Sequence, residues 1–304
     1  MLTGKLRRRD FLYQSLVAGS LTAGLKKLCR ADEKMPVLGQ GKFRYRPVLG
    51  WGVLDEKTPV KNCSAMVTDA QGRIILLTDH TSNNVIIYNK DGQLLKKWGT
   101  QFRGAHGLQI VKEQDREVLF ITDLALNRVF KTTLDGEVLM EITYPKSTGK
   151  YKSAKEFRPS WTLHLANGDF LVLDGYGKDY IMRYNCKGKL LNYFGGPEGG
   201  IAHWGPHGGV VDSRGKGDPE LVIAMSDQQS IKRLSLDEKL IEEIHLPGSN
   251  PRMIQIVDEY IFVPHLADNW PKDRRSQGYI SVLDSECRTL VARLQVMWTE
   301  SCNR

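Results

Sequence analysis

No run of about 18 consecutive apolar residues occurs in the 304-residue chain, so a conventional membrane-spanning helix is not expected. Cysteine is sparse: five residues, at 29, 63, 186, 287 and 302, with no Cys-x-x-Cys pair. That odd count and spacing support neither a zinc knot nor a disulfide framework, and Cys63 and Cys186 read as small, partly buried residues. Negative charge is also in deficit, with a formal net charge of +8. The imbalance is local, because residues 1–30 carry +6 of it and leave only +2 for the rest. A body that is nearly neutral lacks the basic stripe of a nucleic-acid-binding surface, and no nucleic-acid partner is expected. What remains is ample for folding: 41% hydrophobic and 26% charged residues allow a sizeable core and argue against global disorder.

The basic leader has an order of its own. Lys5-Leu6-Arg7-Arg8-Arg9-Asp10-Phe11-Leu12 precedes a mildly apolar run from Leu16 to Leu25. This resembles a twin-arginine export signal, in which an arginine pair precedes x-Phe-Leu and a weak hydrophobic stretch. Residues 1–31 are therefore read as an export signal and residues 32–304 as the mature domain. The resemblance implies export to the periplasm or cell envelope, with membrane contact only through an uncleaved leader. No clean small-x-small cleavage site is visible.

The mature chain repeats. Units begin at Cys63, His106, Ser160, His207 and Arg252, spacings of 43, 54, 47 and 45 residues. Each holds short apolar or alternating runs separated by Asp-Gly, Asn-Gly or similar turns, the pattern of a four-stranded meander. Such sheets repeated every 40–50 residues or so around an axis form a β-propeller. The second strand of successive units ends on Asp79, Asp123, Asp174 and Asp227, with His265 in the fifth, and an Asp-Gly hairpin often follows the third. That phrasing resembles NHL repeats over about residues 43–290. The fold class expected is all-β, an NHL-type propeller with five recognisable blades and a sixth incomplete. The strand-end aspartates are expected to anchor tight turns by accepting backbone N–H bonds.

Closure of the ring bears on the sixth blade. Residues 43–52, ending Gly50-Trp51-Gly52, match the outer-strand endings at Trp98-Gly99 and Phe194-Gly195. An outer strand ahead of the first unit belongs to the last blade, yet unit five has its own outer strand at about 289–296. The repeat period places a further blade near residue 298, and residues 296–304 continue no repeat pattern. A sixth blade that is largely missing is expected, with five blades and an accessory N-terminal strand as the alternative.

Two units open with a histidine in the same register, Ala105-His106-Gly107-Leu108 and Pro206-His207-Gly208-Gly209. Inner-strand starts border the central channel, so both imidazoles are expected at one mouth. Three imidazoles with an open fourth position make a catalytic zinc site. The stretch from His106 through Thr122-Asp-Leu-Ala-Leu-Asn-Arg-Val-Phe-Lys131, with Leu173-Asp-Gly-Tyr176 and Gly205-Pro-His207-Gly208, resembles the peptidyl-α-hydroxyglycine α-amidating lyases. That resemblance implies a six-bladed propeller holding zinc through three histidines, two of them His106 and His207. It implies Tyr176 as the tyrosine assisting cleavage of a hydroxyglycine C–N bond, yielding a peptide amide and glyoxylate. The family's arginines find Gln228 in unit four and Leu77-Thr78-Asp79-His80 in the first blade, and the third histidine is missing.

The function expected is thus zinc-assisted lyase chemistry on a peptide or small molecule at the channel mouth. The alternative is a non-enzymatic scaffold binding protein or glycan partners through loops, among them the polar insertion at 268–277. Calcium enters only as a structural ion. A calcium-dependent lactonase-like site would need convergent acidic and Asn ligands at the repeat starts, and none are there. Trp161 and Trp204 read as inter-blade packing.

Overall fold

The computed structural model describes residues 36–197, 203–215, 217–267 and 278–295. The leader, the insertion at 268–277 and the residues after 295 lie outside the described residues. Among the described residues the chain is all-β and makes five blades. Blade one is β3 (Ala65–Thr68), β4 (Ile74–Leu77), β5 (Val85–Tyr88) and β6 (Leu94–Trp98). Blade two is β7 (Ala105–Glu113), β8 (Arg116–Asp123), β9 (Arg128–Thr133) and β10 (Val138–Ile142). Blade three is β11 (Trp161–His164), β12 (Phe170–Leu173), β13 (Tyr180–Tyr184) and β14 (Leu190–Gly195). Blade four is β15 (Pro206–Asp212), β16 (Glu220–Met225), β17 (Ser230–Ser235) and β18 (Leu240–His245). Blade five splits its inner strand into β19 (Ser249–Pro251) and β20 (Gln255–Val257), followed by β21 (Tyr260–Ala267), β22 (Tyr279–Leu283) and β23 (Leu290–Gln295). Every blade is an antiparallel meander, as the turn spacing predicted. A two-stranded hairpin, β1 (Leu38–Gln40) and β2 (Phe43–Tyr45), precedes them.

The second strands are apolar without alternation because both faces of a blade are covered. In β8, Leu119 and Ile121 pack in the cluster toward blade one, while Val118 and Phe120 pack toward blade three, all at 3% exposure or less. A strand buried on both faces reads as a continuous hydrophobic run. Trp161 and Trp204 belong to the largest cluster, as expected. Cys63 and Cys186 differ from expectation, since both are exposed: one precedes β3 and the other lies in the Asn185–Lys189 turn, whereas Cys287 is buried.

The segment before blade one is not the single outer strand that 43–52 suggested. Pro47 lacks an N–H and Gly50 takes φ +68°, which breaks the pairing after Tyr45. Phe43 and Tyr45 pack on blade five against Val282, Ala292 and Leu294, with Phe43 4.8 Å from Tyr260 ring to ring. Further along, the Trp51 indole donates to Lys90 O (3.2 Å) beside Gly92. Trp98 makes the matching bond to Leu134 O (2.9 Å) beside Gly136 of blade two. Toward blade one, then, Trp51 takes the place of a preceding blade's outer-strand tryptophan, and residues 38–53 link the last described blade to the first.

Candidate active site at the channel mouth

The two His-Gly pairs share one local device. At the start of β7 the register with β8 shifts between Ala105 and Leu108, and at the start of β15 it shifts between Pro206 and Gly208. Such bulges re-aim side chains at sheet ends, here His106 and His207. Each glycine then admits the next blade: a Cβ on Gly107 would lie 2.6 Å from Ser160 O, and one on Gly208 2.5 Å from Arg252 O. Those same carbonyls hold the imidazoles, His106 Nδ1 at 3.0 Å from Ser160 O and His207 Nδ1 at 3.1 Å from Arg252 O. A carbonyl only accepts, so Nδ1 carries the proton on both rings and Nε2 keeps its lone pair.

The rings meet as the register predicted. His106 and His207 are 5.0 Å apart between centroids, and Tyr176 lies 5.1 Å from the first and 5.3 Å from the second. Tyr176 follows Gly175, where a Cβ would sit 2.3 Å from Pro206 O, so the Asp-Gly-Tyr turn fits only with glycine. The Tyr176 hydroxyl donates to His207 Nε2 (2.9 Å) and accepts from Arg252 Nη1 (3.0 Å). Arg158 and Arg252 stand 5.8 and 6.0 Å from the Tyr176 ring centre. Burial, reinforced by both arginines, lowers the His106 pKa. Burial, with Arg252 and His106 beside it, holds His207 well below the ordinary imidazole value. Both rings are therefore neutral at pH 7.

A neutral imidazole fixed through Nδ1 to a carbonyl is the form that ligates a metal. His106 fits that role as it stands, and His207 fits it once the Tyr176 hydroxyl turns away from its Nε2. No group of three His, Cys, Asp or Glu able to hold an ion occurs among the described residues, so they supply two ligands and not a closed set. Two guanidiniums nearby add positive charge, which suits an anionic ligand better than an unaided cation.

Arg252 and Arg158 were not singled out from the sequence. Arg252 had a signal, because it stands in the same repeat-start column as His106, Ser160 and His207. Ser160 and Arg252 each lend a carbonyl to the histidine one blade earlier. Arg158 precedes that column by two positions and had none. Next to His106 a cleft of about 340 Å³ opens between blades one and two, lined by Asn62, Ser64, Asp79, Gly104, Ala125 and Arg158 among others.

No family model matches the chain. Over 106 residues, 34% of this chain, it is 31% identical to peptidyl-α-hydroxyglycine α-amidating lyase 1 of Drosophila melanogaster, and the match spans 19% of that protein's length. Among solved structures, virginiamycin B lyase from Staphylococcus aureus superposes with a TM-score of 0.54 at 14% identity, covering 77% of this chain and 70% of that one. A streptogramin B lyase gives 0.53 at 16% identity, over 77% and 68%. A protein of unknown function from Bacteroides caccae gives 0.55 at 14% identity, over 84% and 85%. These likenesses show the fold, and with the five meanders above they make the chain a β-propeller, with local similarity to an amidating lyase.

Proposed function

We propose that the channel-mouth site is a C–N lyase centre of the amidating-lyase type, in a chain exported through its twin-arginine-like leader. The observation that supports it is the convergence of His106, His207 and Tyr176 from three different blades within about 5 Å, ring to ring. His106 and His207 would hold zinc, which when bound supplies Lewis-acid polarisation of a substrate oxygen. The reading needs a third ligand beyond the described residues.

The reaction balances without water or a redox partner. In an N-acyl-α-hydroxyglycine the hydroxyl proton leaves, its O–H electrons form a C=O bond, and the C–N bond breaks. The nitrogen keeps that pair and takes a proton, giving a primary amide and glyoxylate. Tyr176, gripped by Arg252, is the group placed to move that proton: its oxygen accepts one while its own passes to the nitrogen. Arg252 also carries a positive charge to the place where the departing carboxylate needs it. General acid–base assistance of this kind contributes about 100- to 10,000-fold.

The test is glyoxylate release from benzoyl-α-hydroxyglycine by the zinc-loaded chain. Release above the spontaneous rate, falling about 100-fold or more in Tyr176→Phe, supports the reading. A folded, zinc-loaded chain that releases none sinks it.

A further inference from the structure

The segment that links blade five to blade one forms an exposed arch. In β2 the side chains alternate: Phe43 and Tyr45 pack on blade five, while Arg44 and then Arg46 are exposed. Pro47 ends the pairing, and the chain crosses to blade one. There the Trp51 indole donates to Lys90 O (3.2 Å) and Val53 N to Gly92 O (2.9 Å). Both feet of the arch are thus fixed, and its crown is uncovered. Val48 is 48% exposed, Leu49 62% and Val53 60%, and a Cβ on Gly50 would meet nothing within 4 Å. Single exposed aliphatic residues are ordinary, but three side by side on a loop held at both ends make a patch, which marks an interaction surface.

The charge beside the crown has one sign. Lys42, Arg44 and Arg46 precede it, and no acidic residue occurs between Lys42 and Asp55. Lys42 is paired with Glu259 (3.4 Å), but among the described residues no carboxylate pairs with Arg44 or Arg46. The arch also lies away from the candidate site. Trp51 docks on the Asn89–Gln93 turn, which joins β5 to β6. Asp79 and the His106 mouth stand at the other end of the blades, where β4 turns into β5 and β7 begins.

We propose that this arch is a docking surface for an anionic phospholipid bilayer, with Val48, Leu49 and Val53 entering the headgroup boundary and Arg44 and Arg46 pairing with lipid phosphates. Aliphatic insertion combined with cationic attraction is how peripheral proteins hold anionic membranes. A soluble polyanion would use the arginines and leave the aliphatic crown in water, so the two together favour the bilayer. The contact is separate from the leader and needs neither zinc nor turnover, so it goes beyond the lyase reading. Its place on the blades leaves the channel mouth open to solvent.

The experiment is co-sedimentation of the full chain with vesicles of phosphatidylglycerol and phosphatidylcholine, and with vesicles of phosphatidylcholine alone. The chain is expected to bind the anionic vesicles, more weakly as salt rises. Val48→Ser with Leu49→Ser should lower affinity about tenfold or more, the loss of two inserted aliphatic side chains. Arg44→Gln with Arg46→Gln should lower it about fivefold per charge, on the anionic vesicles only. The leader is the same in every variant, so these differences report the arch. The fluorescence that Leu49→Trp adds to the parent's should be quenched by lipid brominated on the upper acyl chain, which reads insertion directly. No binding by the parent, binding that neither pair of substitutions weakens, or no quenching of the added fluorescence overturns the proposal. Loss with the arginine pair alone, while the serine pair binds as tightly as the parent, means a polyanion surface and overturns it as well. All four side chains are exposed, so the variants' denaturation midpoints should match the parent's. Absence of glyoxylate in the lyase assay leaves this result untouched.

Discussion

His106 and His207 occupy seats built alike and end in different chemical positions. Both sit within a bulge, precede a glycine, and give Nδ1 to a carbonyl at the start of the next blade. His207 is buried to 6% exposure, and its Nε2 is taken by Tyr176, which Arg252 holds in turn. His106 is more open and borders the cleft between blades one and two. The backbone device thus fixes tautomer and direction, while the neighbour in the adjoining blade decides what the lone pair meets. A shared repeat gives two equivalent imidazoles, and the unrepeated residues Tyr176 and Arg252 make them unequal.

The largest effects should come from the imidazoles. If zinc is shared, His106→Ala and His207→Ala each lose it, with affinity falling more than about 100-fold, since changes to outer partners alone cost 10- to 100-fold. Elemental analysis of the purified variants reads this, and zinc retained by either one breaks the symmetry of the pair. Arg252→Gln should act on the His207 side alone. Zinc content holds, while glyoxylate release drops about 100-fold, the scale of one lost electrostatic donor. An equal fall in zinc would show that Arg252 matters through its backbone position and not its charge.

The sequence and the structure agree where the information is local. Turn chemistry and strand period mark each meander, and the repeat-start column puts His106 and His207 in register, which on a ring means the same mouth. Tyr176 came from the resemblance to the amidating lyases, in which a tyrosine follows Asp-Gly, and not from the repeat. What escaped depends on distances between blades. The reach of the Arg252 side chain from blade five to Tyr176 of blade three is set by ring geometry, which no repeat column encodes. The expectation that strand-end aspartates anchor the turns fails at Asp79 for another reason: in blade one the Thr78 hydroxyl accepts from Lys61 N and His80 N, and the Asn84 amide donates to the carbonyls of Thr78, His80 and Phe102, through side chains that the column does not align. The split of 43–52 into a hairpin and a linking segment was readable at Pro47, and the tryptophan match alone pointed the other way.

The glycines sharpen the comparison at the level of packing. On Gly208 a Cβ would meet Arg252 O at 2.5 Å and Met253 Cα at 3.0 Å, all backbone. On Gly107 it would meet Ser160 O at 2.6 Å, the Thr122 hydroxyl at 2.7 Å and the Trp161 ring at 2.9 Å, and both of those side chains are buried. Both alanine variants should lose stability by about 1 to 3 kcal/mol, the usual range for overpacking. Chemical denaturation measures both, and a larger loss at Gly107 would mean that the blade two–three contact is the stiffer one.

A third histidine provides the contrast off the axis. His164 lies at the end of β11, 4.3 Å from the Phe120 ring and 5.9 Å from Phe170, with Thr162 Oγ1 3.0 Å from its Nε2. Burial, with Lys131 nearby, pushes its pKa down to about 3. The unfolded chain binds this proton near pH 6.5 and the folded chain does not, so stability is full above that value and declines as pH falls toward 3. The residue is half-buried by its exposed area, which keeps the loss at pH 5 to about 1 to 2 kcal/mol. Denaturation midpoints at pH 7 and pH 5 should therefore lie closer together in His164→Asn than in the parent chain. An unchanged gap would place the acid sensitivity elsewhere and would mean that the aromatic layer between blades two and three tolerates a charged imidazole.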